Sequence, residues 1–216
     1  MKMERVMRNN LFIISPYGYK YITSALFATF MFALLELEFF STVAFLLVLF
    51  FLYSFRNPER ELSFLDANAV VSPVDGRVKA IDEIDDAQYG YKVTIESDYL
   101  HVGILRVPIS ANLKALRILK GARTSKKSKL FNDLNEMAEL VFTDENENSV
   151  KVVHRLKQTF APLSVEITQN NAVHKGSRYG YALSSVTELY LPKNFRLNIK
   201  PSREIEASHS LIGYFS

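Results

Sequence analysis

A basic run between residues 114 and 129 is the first feature of this 216-residue sequence with an evident chemistry. Seven basic residues fall within sixteen positions and no acidic residue lies among them: Lys114, Arg117, Lys120, Arg123, Lys126, Lys127 and Lys129. Near an anionic membrane surface, each contributes about 1 kcal/mol of attraction. The run therefore predicts contact with an anionic phospholipid membrane, and a solvated basic loop is the alternative. A formal net charge of only +3 gives no reason to expect nucleic acid.

Residue types that several common chemistries need are missing or poorly spaced. The chain has no cysteine, which excludes disulfides, thiolate catalysis and cysteine-ligated zinc. The four histidines lack the spacing of metal ligands, so no metal site is expected: His101, His154, His174 and His209. The glycines form no phosphate-binding loop of the P-loop or dinucleotide type.

Two apolar segments precede the rest of the chain. Residues 21–35 and 39–55 carry no charge, and the two charged residues between them are Glu36 and Glu38. Each segment is slightly short of the roughly 20 residues that span a bilayer comfortably. Together they predict a two-helix transmembrane hairpin, with a helical hairpin buried in a soluble protein as the alternative.

Basic residues flank both outer ends of this hairpin: Lys2, Arg5, Arg8, Lys20, Arg56 and Arg60. By the positive-inside rule, both termini and the main domain are expected in the cytoplasm, at a bacterial-type inner membrane. The predicted organisation is a basic N-terminus (1–20), the hairpin (21–55) and one further domain (56–216).

The sequence pattern of residues 56–216 is typical of a mostly β domain. Short apolar runs alternate with turn residues, which predicts an antiparallel sandwich or barrel with a minor helix near residues 128–134. The Asp75-Gly76 pair lies between two such runs and predicts a β-hairpin there. The other predicted strands are 92–96, 102–107, 113–119, 138–142, 149–155, 164–168, 181–191, 195–199 and 211–214.

Several motifs of this domain, taken in order, resemble the phosphatidylserine decarboxylase family. They are FRNPER at 55–60, VSPVDGRV at 71–78, NE at 135–136, KG at 175–176, LYLP at 189–192 and Gly213 near the end. The resemblance covers residues 20–216 and is to the small bacterial and archaeal branch. It implies removal of the carboxylate of phosphatidylserine to give phosphatidylethanolamine. In this family the prosthetic group is a pyruvoyl, which the chain makes from a serine of its own Gly-Ser bond after an Asp–His pair activates that serine.

The resemblance assigns this machinery residue by residue. Asp75 occupies the aspartate position, although an ordinary Asp-Gly turn explains it almost as well. Ser185 occupies the serine position, and Ser184 stands where the family has glycine, so Ser184–Ser185 is the expected cleavage bond. Asn112 stands at the family's histidine position, and asparagine cannot take up a proton near neutral pH. A pyruvoyl from Ser185 is expected only if the chain is processed; otherwise no cofactor is expected.

These altered motifs predict a membrane-anchored family member of phospholipid metabolism that has lost catalysis. Two alternatives stay open. One is an active pyruvoyl-dependent decarboxylase that cleaves Ser184–Ser185 with a base other than the family's histidine, such as His101, His154 or His174. The other is a non-enzymatic membrane-anchored binding module. A homo-oligomer or an active paralogue is an expected partner.

Overall fold

A computed structural model describes residues 13–64 and 66–216, which form two compact units divided between Glu59 and Arg60. Lys2, Arg5 and Arg8 of the predicted basic N-terminus lie outside the described residues.

The first unit is a helical hairpin. A 3-10 turn at Pro16–Gly18 leads into helix α1 (Tyr19–Leu34), and helix α2 (Glu38–Ser54) follows a short turn. Gly18 is needed because a Cβ there would lie 2.5 Å from the Phe55 side chain, which closes the base of the hairpin. The Ser15 N–H also donates to the Phe55 carbonyl at 2.8 Å.

The helices correspond closely to the two apolar segments but are short. They contain 16 and 17 residues, and at about 1.5 Å per residue they measure roughly 24 and 26 Å against a hydrocarbon core of about 30 Å. Within the described part of the chain, no helix is long and apolar enough to cross a membrane. The structure therefore gives no support to the prediction that each helix spans the bilayer.

The second unit is mostly antiparallel β-sheet, as predicted, with one short helix, α3 (Phe131–Leu134). Its strands are β1 (Ala69–Val71), β2 (Gly76–Glu83), β3 (Tyr91–Glu96), β4 (Ile104–Arg106), β5 (Ala111–Leu119), β6 (Met137–Thr143), β7 (Ser149–Leu156), β8 (Ser164–Val165), β9 (Ala172–Val173), β10 (Arg178–Tyr181), β11 (Ser185–Leu191), β12 (Phe195–Leu197), β13 (Glu204–Ile205) and β14 (Leu211–Phe215).

These strands form one large sheet and two small ones. The eight-stranded sheet has the order β13-β2-β3-β11-β7-β6-β5-β9, and the three-stranded sheets are β1-β14-β12 and β4-β10-β8. Alternating side chains of the large sheet, such as Val93, Ile95, Leu140 and Leu189, are fully buried in one apolar core. The core holds β11 at the centre of the large sheet, between β3 and β7.

Two local predictions were wrong. Asp75-Gly76 does not form a hairpin, because β1 pairs with β14 while β2 pairs with β3 and β13. Gly76 is instead required by close packing, since a Cβ there would lie 2.5 Å from the Glu96 carbonyl oxygen. The single strand predicted at 181–191 is also interrupted, because β10 ends at Tyr181 and β11 begins only at Ser185.

Candidate active site around the Ser184–Ser185 bond

The break between β10 and β11 places Ser184 in an unusual backbone conformation. Its φ is 56°, in the left-handed region that glycine adopts freely and other residues adopt at a cost of roughly 1–2 kcal/mol. The resemblance expects glycine at this position, so the conformation suited to glycine is kept although the residue is serine. Such strain persists where the surrounding structure holds the backbone in place.

Backbone hydrogen bonds hold the Ser184–Ser185 bond from both sides. The Lys157 N–H donates to the Ser184 carbonyl at 3.0 Å, and the Ser97 N–H donates to the Ser185 carbonyl at 2.9 Å. The first donor therefore points at the carbonyl that a nucleophilic Ser185 would attack. An N–H in that position stabilises negative charge that develops on the carbonyl oxygen.

The Ser185 side chain lies inside the β unit. Ser185 is fully buried, and its Oγ has no hydrogen-bond partner. A buried hydroxyl without a partner costs roughly 1–3 kcal/mol. Neither a carboxylate nor an imidazole among the described residues hydrogen-bonds this hydroxyl, so the serine has a nucleophile's position but no base in contact with it.

Asp75 is connected to the Ser184–Ser185 bond by its backbone carbonyl, which hydrogen-bonds Ser97, and its carboxylate has other partners. The Ser97 hydroxyl donates to the Asp75 backbone carbonyl. The Asp75 carboxylate accepts two hydrogen bonds from the Arg60 guanidinium, one of them at 2.8 Å, and a third from the Ala207 N–H at 2.9 Å. Burial disfavours the charged guanidinium, but the hydrogen bond and charge of Asp75 outweigh that penalty and raise the pKa of Arg60. The carboxylate is thus occupied by a buried ion pair.

A cavity of about 680 Å³ opens beside Ser184. Its lining includes Lys126, Lys127 and Lys157 together with Glu96 and Asp98. The Lys157 Nζ lies 2.9 Å from Glu96 and 2.8 Å from Asp98, and Lys126 lies 3.0 Å from Glu96. Partial burial alone would raise the pKa of Glu96, but the hydrogen bonds from Lys157 and Lys126 lower it to about 2. The cavity therefore carries both signs of charge at neutral pH.

The structure places Asn112 away from this cavity. Asn112 lies at the start of β5 and lines a separate cavity with His174 and Lys175. Strand pairing across the sheet shows which part of β5 lies closest to the cleavage bond. Val186 of β11 pairs with a residue of β7, that residue pairs with one of β6, and the β6 residue pairs with Leu119 of β5. Leu119 is seven residues beyond Asn112, or roughly 23 Å along the strand. Among the sequence-predicted site residues, the structure therefore groups Ser184, Ser185 and the Asp75 backbone, and leaves Asn112 apart.

The histidines named as alternative bases occupy different environments. On the surface, His101 accepts the Asp98 N–H at 3.0 Å, and its other nitrogen lies 3.3 Å from Glu204. His174 lines the separate cavity that also contains Asn112 and Lys175. His154 is instead completely buried on β7. The inward positions of β7 alternate, and this period places His154 in the core, a signal that was present in the sequence.

The predicted lipid-facing basic run divides into two groups. Lys120 and Arg123 pair with the buried Glu136 at 2.6 and 3.0 Å, and Lys126 pairs with Glu96. These three residues are held in ion pairs with carboxylates of the same unit. The other four residues of the run have no ion pair within 4.0 Å among the described residues: Lys114, Arg117, Lys127 and Lys129.

Sequence reasoning missed two residues that contact the Ser184–Ser185 bond. Lys157 and Ser97 contact it through backbone N–H groups, which any residue type supplies, so nothing in their local sequence marks them. No group of three or more potential metal ligands occurs in the part of the chain that the structure describes.

Comparison with known proteins identifies similar chains. A family model described as phosphatidylserine decarboxylase matches residues 47–213. A phosphatidylserine decarboxylase proenzyme of Geotalea uraniireducens is 29% identical over 215 residues, which cover 96% of this chain and 99% of the relative. A proenzyme of the same name from Desulfotalea psychrophila is 25% identical over 201 residues, covering 91% of this chain and 94% of the relative.

Proposed function

The chain belongs to the phosphatidylserine decarboxylase family, and from this premise we propose that it is a decarboxylase of phospholipid metabolism that cleaves its own Ser184–Ser185 bond. One observation carries the proposal. Ser184 has the left-handed backbone of a glycine, its carbonyl accepts the Lys157 N–H, and the adjoining Ser185 hydroxyl is buried with no partner. The Ser185 hydroxyl therefore adjoins a carbonyl whose oxygen already has an N–H donor, which stabilises the charge that an attack by Ser185 would create.

Self-cleavage at this bond begins with a shift of the Ser184 acyl group from nitrogen to oxygen. Ser185 Oγ attacks the Ser184 carbonyl carbon, an ester forms, the C–N bond breaks, and the hydroxyl proton ends on the nitrogen of residue 185. The Lys157 N–H stabilises the carbonyl oxygen while it carries charge. Loss of the Ser185 Cα proton then expels the Ser184 carboxylate, and water releases ammonia from the new N-terminus to leave a ketone.

The residues present fit a pyruvoyl group at position 185. That group would supply a ketone that accepts electrons when carbon dioxide leaves the substrate. The cavity beside Ser184 contains lysine ammonium groups and carboxylates. This mixture is complementary to a headgroup that carries a phosphate, a carboxylate and an amine, and the lysines would bind its anionic part.

A specific observation favours a second candidate, a family member that is never processed. The Asp75 carboxylate is occupied by Arg60 and Ala207, and Asn112 lies at a separate cavity. A serine without a base is a weak nucleophile. Such a protein would keep the lipid-facing surface and the headgroup cavity without catalysis.

The intact mass of the protein purified from membranes under denaturing conditions decides between the two. We expect two chains, residues 1–184 and 185–216, the second without an amino terminus. Because the reaction consumes water and releases ammonia, the two masses should sum to about 1 Da more than the uncleaved chain. Ser185→Ala should remain whole at 24.7 kDa. A wild-type chain that also stays whole would favour the unprocessed candidate.

For localisation, we propose that the helical hairpin anchors the protein in a bacterial cytoplasmic membrane. Large apolar side chains cover both helices on their exposed sides, among them Phe27 at 65% and Phe39 at 73% exposure. The basic residues nearest the two ends of the hairpin, Lys20 and Arg56, favour the cytoplasmic side for both ends. Helices of this length enter the apolar layer most easily where they tilt little or thin the bilayer.

The four unpaired basic residues add an electrostatic contact with anionic lipid. Changing Lys114, Arg117, Lys127 and Lys129 together to glutamine should weaken binding of the full chain to anionic liposomes by at least tenfold, since each charge contributes about 1 kcal/mol near such a surface. A flotation assay measures this binding, and zwitterionic liposomes should show little change.

A matched control is the removal of four exposed charges elsewhere, by changing Lys193, Arg196, Lys200 and Arg203 to glutamine. Equal loss of binding in both variants would mean that net charge, and not this surface, attracts the membrane.

A further inference from the structure

A small polar cluster lies within the apolar core, outside the contacts described for the Ser184–Ser185 bond. It consists of His154 on β7, Thr187 on β11 and Tyr179 on β10, all fully buried. The His154 Nδ1 lies 2.8 Å from Thr187 Oγ1, and its Nε2 hydrogen-bonds the Tyr179 hydroxyl. A buried polar group costs free energy unless it is hydrogen-bonded, and each of these three side chains has its partner within the cluster.

The imidazole of this cluster is neutral. Burial lowers the pKa of His154 to about 3, and burial also raises the pKa of Tyr179, which therefore stays a phenol. A neutral imidazole has one ring nitrogen that can accept a proton. The hydrogen-bonding partners of His154 are themselves uncharged, so the ring is a free base that no ion pair holds.

The strand register brings this base close to Ser185. Thr187 pairs directly with His154, and Ser185 pairs directly with Leu156, two residues further along β7. Because strand side chains alternate, Ser185, Thr187, His154 and Leu156 all point to the same face. Ser185 and His154 are thus diagonal cross-strand neighbours, whose Cα atoms lie roughly 7–8 Å apart, a separation that aromatic and long side chains bridge.

We propose that His154 is the general base for the self-cleavage of the Ser184–Ser185 bond and takes the role left vacant by Asn112. This inference rests on the proposed function, since it requires that the chain is processed. The geometry that carries it is the buried Ser185 hydroxyl without a partner and a buried histidine one diagonal away on the same face. Hydrogen bonds of catalytic bases are often long before the reaction and tighten only when it proceeds.

In the reaction, the imidazole turns from Thr187 towards Ser185 and accepts the Oγ proton while Oγ attacks the Ser184 carbonyl carbon. The imidazolium then returns this proton to the nitrogen of residue 185 as the C–N bond breaks. The net transfer is from the serine hydroxyl to the new amine, so His154 ends neutral. The hydrogen bond to Tyr179 holds the Nε2 side of the ring, and the Thr187 hydroxyl competes with the Ser185 hydroxyl for a hydrogen bond to Nδ1.

The experiment compares three full-length proteins by intact mass after defined times of expression: wild type, His154→Gln and Thr187→Val. The two variants break the same His154–Thr187 hydrogen bond, but only the first removes the imidazole. We expect His154→Gln to be cleaved at least about 10-fold more slowly than wild type. This is less than the roughly 100-fold or more that a general base with a pKa near the operating pH contributes, because burial lowers the pKa of His154 to about 3. We expect Thr187→Val to be cleaved at least as fast as wild type. Thermal unfolding of each purified variant shows which variants are folded, and His154→Asn replaces His154→Gln in the cleavage assay where His154→Gln does not fold.

Each outcome has one meaning. Cleavage of His154→Gln at the wild-type rate overturns the role of His154 and leaves the proposed function intact. Equal loss of cleavage in His154→Gln and Thr187→Val also overturns it, because the cluster would then serve only the fold. A wild-type chain that is never cleaved refutes the proposed function, and the role of His154 with it.

Discussion

Replacing Arg60 with leucine should lower the free energy of unfolding of the β unit by about 3–5 kcal/mol, the cost of leaving one partner of a buried ion pair alone. The Arg60 and Asp75 side chains are only 10% and 7% exposed. After the substitution, the Asp75 carboxylate would keep the Ala207 N–H but lose both guanidinium bonds. Thermal unfolding of the full chain in detergent, followed by the near-ultraviolet circular dichroism of its tyrosines, measures the loss.

Two controls separate burial from charge in this prediction. Arg77 and Glu204 also form a close ion pair, in which Arg77 Nη2 lies 2.6 Å from Glu204 Oε1, but both side chains are 53% exposed. Arg77→Leu should therefore cost no more than about 1 kcal/mol. The double variant Arg60→Leu/Asp75→Leu should recover much of the stability, because no uncompensated charge then remains. If Arg60→Leu costs no more than Arg77→Leu, the buried pair is not what holds Asp75.

This ion pair shows how far the family resemblance can assign a catalytic role to Asp75. The sequence marked both Arg60 and Asp75 through two motifs, and the structure shows that the two motifs bind each other. Asp75 therefore has an evident structural role in this chain, and its motif alone is not evidence of catalysis. The backbone around Ser184 is a separate observation. Ser202 and Ser208 are left-handed as well, but only Ser184 is followed directly by a serine whose buried hydroxyl has no partner.

Local signals predicted most of the fold. The β6–β7 hairpin follows from two alternating apolar runs around a polar turn, where the Asp144 carboxylate accepts the backbone N–H groups of Asn146 and Asn148. The helical hairpin follows from its two uncharged segments. Such features depend on residues near each other in sequence, so one sequence is enough to detect them.

Long-range features were not predictable in this way. The Asp75-Gly76 pair has the local signature of a hairpin, but the sheets recruit β14 and β3 from more distant sequence. The interruption of the strand predicted at 181–191 likewise depends on a change of sheet between β10 and β11. The diagonal between Ser185 and His154 depends on a register that only the assembled sheet defines.

The state of His154 predicts a specific loss of stability in mild acid. Its folded-state pKa is about 3, because burial disfavours the charged ring, against an ordinary value of 6.5 in the unfolded chain. Between these values the unfolded chain binds more protons, so stability rises with pH and is lost as the pH falls. The free energy of unfolding should fall by about 2–3 kcal/mol from pH 7 to pH 4.5 on account of this residue alone. Thermal unfolding across that range measures the change.

The comparison with His154→Gln isolates this contribution, because glutamine keeps polar atoms in the core but does not titrate. The wild-type stability should decline through this window more steeply than that of the variant, and the gap should grow by up to about 1.4 kcal/mol for each unit of pH. Glu96 has a pKa of about 2 in the fold, so its own contribution is lost mainly below pH 4.5 and in both proteins alike. Parallel declines in the two proteins would mean that the ring is charged or exposed before unfolding. In that case the neutral, buried base that the self-cleavage proposal needs would not exist in the folded protein.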